Sequence, residues 1–401
     1  MRVGVIGGGI QGCCIALELV NRGVKVDLIE KRPRLMDAAS RHSEGKIHLG
    51  FVYANDPSLR TAELMVEAAM KFARYMRRWL GPAFDTIPVS TPFEYLVHRA
   101  SLVAPDVLED IYQAISQRIA SRGNPRAYFG IEDSHRITRA SRREVSERYG
   151  PEADAVFSTR EVAVDPDAVA DLMTKVVMDT APISVMLNTE VRSVDSSARK
   201  LVATRSDAET VMLGPYDHVV NCSWEGRPGI DATVGIHPPA PWSFRMKYFV
   251  RAAGATNRDP IPSVTIVLGP FGDVVDYGVG DYYLSWYPTG RRGWSSDIKP
   301  PDWPSRAPPD DGALIKSETF GELSRILPRL EERFDPTLSE VRGGIIYALG
   351  KTDVDDPMSR LHQRSAVGIV SQDGWYHTVD TGKYTTAPLF AMKAADSITQ
   401  T

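Results

Sequence analysis

The chain has 401 residues and a formal net charge of -4, long enough for a sizeable core shared between two domains and without the basic field that attracts nucleic acid. Its three cysteines (Cys13, Cys14 and Cys222) lie in apolar stretches without metal-ligand spacing, so no metal site is expected and a reducing, cytoplasmic setting is. No apolar run is long enough to span a membrane, and the first strand begins so early that a signal peptide is not expected.

Residues 1–30 predict a strand, a glycine turn, a helix and a second strand ending in an acid. Gly7, Gly9 and Gly12 follow the apolar run Val3 to Ile6 in the G-x-G-x-x-G pattern, and Glu30 closes the second run, Val24 to Ile29. In a dinucleotide-binding unit the first glycine permits the tight turn, the second lets a pyrophosphate approach the backbone, and the third lets helix and sheet pack. Glu30 would accept hydrogen bonds from a ribose 2′-OH, which favours FAD or NAD over a 2′-phosphorylated cofactor. From Asp56 to Leu80, Met65, Ala69, Phe72, Met76 and Trp79 recur at helical spacing, predicting a helix packed on the sheet with a solvated basic rim. Arg136 to Arg148 reads as an exposed helix. The Pro- and Gly-rich stretch from Pro288 to Gly312 reads as a long loop, a lid or a partner surface.

Arg41 to Tyr53, RHSEGKIHLGFVY, resembles the segment that follows the dinucleotide unit in the D-amino-acid oxidase-like (DAO) flavoprotein superfamily. The match is nearest to L-2-hydroxyglutarate dehydrogenase, through His42, Gly45, Ile47, His48 and Gly50, and FAD-dependent glycerol-3-phosphate dehydrogenase carries a related stretch around His48. Further pieces follow in the family's order. Glu161 to Pro166 (EVAVDP) resembles the opening of a helix, here Asp167 to Asp179. Next come a strand ending at Asn188 to Val191, where the family contacts the adenine side, and Tyr216 to Asn221, similar to another family strand. Thr381 to Pro388 is similar to the Gly-Lys-aromatic-Thr-Thr loop of the glycerol-phosphate enzymes and opens a helix from Leu389 to Ile398.

The resemblance implies an α/β fold: a discontinuous Rossmann-like FAD-binding domain from 1–80, 151–235 and 345–401, and an inserted strand-rich α+β substrate domain from 81–150 and 236–344. It places Gly7, Gly9, Ile10, Gln11, Gly12, Glu30, Lys31, His42, Ser43, Gly45, Lys46, Ile47, Val191, Gly382, Lys383, Tyr384, Thr385 and Thr386 at the cofactor. The sequence departs from the family after Asn221, where Cys222-Ser223-Trp224 replaces the usual small residues, and near Gly344, where the arginine of the glycerol-phosphate enzymes is absent. Glycerol 3-phosphate is therefore not the expected substrate. No cysteine follows Cys222, so flavin held through a late cysteine is excluded and a noncovalent cofactor is favoured over a link through His42.

Oxidising a CH-OH or CH-NH centre by hydride transfer to flavin N5 calls for a base beside the substrate and a cation beside the flavin. His48 is the candidate base, because histidine titrates near neutral pH, and Lys383 the candidate cation. Arg245 or Lys247 would hold a substrate carboxylate, the arginine fork being better suited. Tyr347, next to a Gly-Gly pair that permits close approach, is a candidate ligand contact, and Tyr283 to Pro288 either walls the pocket or is a core strand. The resulting expectation is an FAD-dependent oxidoreductase for a small polar substrate, a 2-hydroxy acid first, with oxygen or another molecule as electron acceptor. An amine or amino-acid oxidase, and a flavin-binding partner subunit without catalysis, are the alternatives.

Overall fold

The computed structural model describes residues 1–124, 126–239, 241–254, 261–278, 280–328, 330 and 333–400. The remaining positions, which fall in the expected ranges 81–150, 236–344 and 345–401, lie outside the described residues.

Arg2–Ile6 (β1), Ile10–Asn21 (α1) and Lys25–Ile29 (β2) form the expected βαβ unit. β1 pairs in parallel with β2 on one side, Val5 opposite Leu28, and with His218–Asn221 on the other. Parallel strands covered on both faces read as continuous apolar runs, and all but the first residue of β1 and of β2 are buried. The full sheet has six strands in the order Gly368–Gln372, Tyr376–Asp380, His218–Asn221, β1, β2, Ile183–Met186. Helix Ala387–Thr399 lies beside α1, tied to it by an ion pair from Arg22 Nη2 to Asp396 (2.7 Å) and a bond from Gln11 Nε2 to Ala387 O (3.2 Å).

The long amphipathic helix spans Arg60–Leu80, and its five apolar stripe residues are buried. It begins later than Asp56 because the Asp56 carboxylate accepts from the N–H groups of Ser58 and Thr61 (both 3.1 Å), which holds a turn ahead of the helix. No helix among the described residues is long and apolar enough to cross a membrane.

A nine-stranded sheet carries the second core. Its path runs Arg291–Ser295, Trp242–Gly254, Asp281–Trp286, Gly272–Asp276, Ser263–Val267, Phe93–His98, Ala153–Ser158, Thr138–Arg139, with Phe334–Leu349 also paired to Trp242–Gly254. The boundaries read from sequence at 151 and 345 cut through this sheet: Ala153–Ser158 and the end of Phe334–Leu349 belong to it.

Three local readings need correction. The exposed helix expected from Arg136 spans only Arg142–Arg148, because Ser141 and Glu144 form a reciprocal capping box that fixes its start, and Thr138–Arg139 is a strand. The strand expected to end at Val191 stops at Met186. Asn188 turns with φ 52°, and Thr189–Asp195 enters a separate three-stranded sheet. The Pro-rich stretch is not one loop, since Arg291–Ser295 is a strand and a helix starts at Pro309.

Candidate functional site

One cavity of about 1040 Å³ runs from the glycine turn, past the loop 381–384, into the face of the nine-stranded sheet. At the turn, Gly7 has φ 99°, and a Cβ there would stand 2.7 Å from the Cys222 carbonyl oxygen. A Cβ on Gly12 would fall 1.9 Å from Gly7 O. These two glycines are required by backbone meeting backbone. Gly9 differs, because its nearest neighbour is one side-chain oxygen, Ser40 Oγ, and the residue borders the cavity.

Gly9 is also the N-cap of α1 and has no side chain of its own to cap the helix. The first-turn N–H groups of a helix lack intrahelical partners and attract anions. Ile10 N donates to Ser40 Oγ (2.9 Å), and the first turn otherwise opens beside the cavity. Glu30 ends β2 with Oε2 accepting from Gly8 N (2.6 Å) and Oε1 from Arg32 N (2.8 Å). Each oxygen keeps a second lone pair for a hydroxyl. Burial lifts the Glu30 carboxyl above its usual range, against those two N–H groups. Thr189, Val191 and Arg192 line the same end, and Lys31 is held by Glu225 (2.9 Å). A helix start in which Ser40 Oγ takes one first-turn N–H, side-chain-free space at Gly9 and a hydroxyl-accepting carboxylate together fit the pyrophosphate and ribose of FAD.

The other end is built where Lys46–Ile47 pairs antiparallel with Val162–Ala163. Thr385 Oγ1 accepts from His48 N (2.9 Å) and donates to Lys46 O (3.1 Å), which fixes this segment to the loop carrying Lys383. The His48 ring, 3 % exposed, sits between two carboxylates: Nε2 is 3.8 Å from Glu44 Oε1 and Nδ1 is 3.7 Å from Glu161 Oε1. Burial pulls its pKa below the usual value although Glu161 opposes, and Lys383 and Lys46 add to the fall. Burial also works to raise the Glu44 carboxyl, but Lys383, His48, Lys247 and Lys46 outweigh it and hold the group at about 2. The Lys383 ammonium is lowered by burial, with Glu44 opposing.

The Lys46 amine lies 4.0 Å from the centre of the Phe93 ring and donates to Asp273 (3.2 Å) and Thr265. Further into the sheet, Arg245 is 1 % exposed and stacks over Trp294 at 4.2 Å. Its Nη2 donates to Thr352 O (3.2 Å), while Nε and Nη1 have no hydrogen-bond partner. Asp353, 3.6 Å from Nε, is engaged by Arg291 (2.8 Å) and Tyr287 (2.6 Å). Burial pulls the guanidinium down to about 10.

The cavity thus gathers Gly7, Gly9, Ile10, Gln11, Glu30, Lys31, His42, Ser43, Gly45, Lys46, Val191, Gly382, Lys383 and Tyr384, together with His48, Arg245 and Lys247. Gly12, Ile47, Thr385 and Thr386 stand behind its wall. The two threonines bond backbone atoms of the Lys46 and Lys383 segments. Tyr347 does not line the cavity: it is packed between Trp224 and Phe244 with Arg227 over its ring. Of the nearby glycines, Gly344 admits protein backbone, a Cβ there falling 2.8 Å from His42 O, and Gly343 admits the Met246 and Tyr248 side chains. Arg342 is paired with Asp167 and Glu340. Tyr283 and Tyr287 reach the cavity, so that aromatic stretch is both strand and wall, and Ile298 to Trp303 of the Pro-rich stretch line it too.

Sequence reasoning missed Glu44, Asp273 and Arg364, which line the cavity, and Glu161, which faces the His48 ring. Glu44 and Glu161 lie inside segments already marked, and an acid heading the apolar run Val162 to Val164 was the available signal for Glu161.

The family model described as FAD dependent oxidoreductase (DAO) matches residues 2–396. Among curated proteins, the FAD-dependent monooxygenase FPY4 of Fusarium mangiferae is 41 % identical over 58 residues, 14 % of this chain and 16 % of that protein. The chain therefore matches only about a sixth of that relative's length. Among solved structures, glycine oxidase from Geobacillus kaustophilus has TM-score 0.69 at 16 % identity, covering 100 % of this chain and 95 % of that one. The L-α-glycerophosphate oxidase of Mycoplasma pneumoniae with FAD bound has TM-score 0.65 at 15 % identity, covering 99 % and 94 %.

Proposed function

The chain belongs to the DAO family of FAD-dependent oxidoreductases, and from that premise we propose that it oxidises the CH-OH or CH-NH centre of a small carboxylate-bearing substrate, a 2-hydroxy acid first. Arg245 carries this reading. A buried guanidinium with two nitrogens lacking acceptors is costly, and a carboxylate offers it the paired oxygens it is missing.

Gly9, the first turn of α1, Glu30 and the loop 381–384 would hold FAD, which when bound supplies the acceptor for the hydride leaving the substrate carbon. Arg245 orients the substrate by its carboxylate. His48, kept neutral near pH 7 by burial, accepts the proton from the substrate oxygen or nitrogen at Nε2. Lys383 adds positive charge on the cofactor side of the cavity. Tyr53, Tyr283 and Phe249 add aromatic faces to a wall that otherwise carries charged groups. Glu44 favours a second reading, an amine or amino acid, because an ionised carboxylate beside His48 would accept from a substrate N–H. The buried free cysteines accord with a reducing, cytoplasmic setting.

The test is anaerobic bleaching of the flavin absorbance with 2-hydroxy acids, amino acids and the primary amide of each. Carboxylates should bleach and their amides should not. Bleaching by amides as readily as by acids would overturn the reading, and an oxidised spectrum with every compound would favour a flavin-binding subunit.

A further inference from the structure

We propose that Glu161 is a positioning residue for proton transfer at His48: its buried carboxylate holds the proton of the ring on Nδ1 and leaves the Nε2 lone pair turned to the cavity. The proposal rests on the reading of His48 as proton acceptor. Glu161 is 0 % exposed and does not touch the cavity, whereas the His48 ring stands between it and the cavity. One carboxylate oxygen accepts from Leu49 N and the other from the Tyr95 hydroxyl. The oxygen bound by Tyr95 is also the one facing Nδ1 at 3.7 Å, and Nδ1 has no hydrogen-bond partner.

A buried carboxylate costs several kcal/mol unless it is paired. Two neutral donors account for part of that cost, and the basic side chains facing this acid are His48 and Lys46. At 3.7 Å the contact is just beyond hydrogen-bond length, so in this state Glu161 acts on the ring through its charge, and a small ring shift closes the bond. When Nε2 takes the substrate proton, the imidazolium lies between Glu161 and Glu44. An opposite charge within about 4–6 Å favours the charged form, while Lys46 and Lys383 oppose it and the Tyr53 and Tyr95 hydroxyls remain neutral. The proton passes from the substrate O–H or N–H to Nε2, the substrate carbon is oxidised as its C–H electron pair leaves with the hydrogen, for which bound FAD would be the acceptor, and Glu161 stays ionised throughout.

The holoenzyme tests this in anaerobic single-turnover reduction from pH 5 to 9, comparing wild type, Glu161→Gln, His48→Ala and the double variant at matched flavin occupancy. Glu161→Gln should slow reduction by about tenfold or more, up to the full loss of His48→Ala, which a positioned base sets at roughly 10²- to 10⁴-fold. Its acid limb should move to lower pH, because the lost anion no longer holds the proton on His48. The double variant should be no slower than His48→Ala. A Glu161→Gln rate within about twofold of wild type, or a slower rate with an unmoved acid limb, overturns the proposal and leaves the His48 assignment standing. A wild-type rate in His48→Ala removes both. Glu161→Asp, which keeps the charge but withdraws it by one methylene, carries the same test if Glu161→Gln does not retain flavin: a lowered limb supports the proposal, and unchanged limb and rate overturn it.

Discussion

Replacing Arg245 by Met should remove recognition of the substrate carboxylate while leaving the fold intact. Hydrogen bonds to charged groups contribute about 1.5–3 kcal/mol each. Two such bonds, from Nε and Nη1, give about 3–6 kcal/mol, or roughly 10²- to 10⁴-fold in kcat/KM at 1.4 kcal/mol per decade. The apoprotein loses little, because among the described residues the Arg245 side chain makes one hydrogen bond, from Nη2 to Thr352 O, beside its 3.6 Å contact with Asp353. Asp353 remains held by Arg291 (2.8 Å), Tyr287 (2.6 Å) and Val354 N (2.8 Å), so no buried acid is orphaned. Anaerobic stopped-flow reduction against substrate concentration gives the assay, with each acid run beside its primary amide. Wild type should prefer the acid by the factor above, and Arg245→Met should lose that preference with little change in Tm. A variant that still distinguishes acid from amide would refute the assignment.

Glu30→Ala should weaken FAD binding by roughly ten- to a hundredfold, the equivalent of one charged hydrogen bond, and lower Tm because Gly8 N and Arg32 N lose their acceptor. Titration of the apoprotein with FAD checks this, and an unchanged Kd would count against Glu30. Acid precipitation should release all of the flavin, since His42 Nδ1 is already engaged by Gly343 O (2.9 Å) and no cysteine follows Cys222. A coloured pellet yielding a flavin-modified peptide with His42 or His48 would contradict that. His377 is buried, with His218 Nδ1 3.2 Å from its Nε2. Burial first, then His218, lower its folded pKa to about 4, below the unfolded value of about 6.5. The unfolded chain therefore takes up the proton first, and stability is lost as pH falls from about 6.5 toward 4. His377→Asn should flatten Tm over that window, and an identical slope in both proteins would be the adverse result.

The βαβ unit was legible because backbone geometry dictates its residues: Gly7 needs its positive φ, and Gly12 leaves no room for a Cβ. The helix at Arg60–Leu80 was legible because burial imposes its period. Tyr347 was misplaced because alternation sorts a strand into two faces without saying which one meets a cavity. The same limit applied to Thr385 and Thr386, whose hydroxyls hold backbone atoms rather than border the cavity. Glu161 went unread because its value depends on His48, which reaches it only through the pairing of Lys46–Ile47 with Val162–Ala163, a register set by tertiary packing. The unsatisfied guanidinium of Arg245 is equally a property of its surroundings. Its residue type suggested carboxylate binding, and only the fold shows the missing acceptors.

The strand order of the six-stranded sheet also bears on how the chain is synthesised. His218–Asn221 lies between β1 and Tyr376–Asp380, and Asn221 and Tyr376 are 155 positions apart. At about 5–20 residues per second, the later strand emerges from the ribosome roughly 8 to 30 s after the earlier one. Throughout that interval Val219 and Val220 form an open edge of the kind that recruits other chains, and the Asn221 amide lacks its Tyr376 hydroxyl partner. The wall at 381–384 is missing for just as long, so cofactor loading follows synthesis. A nascent chain stalled in this window would be colourless and prone to aggregate, although its dinucleotide turn is already translated.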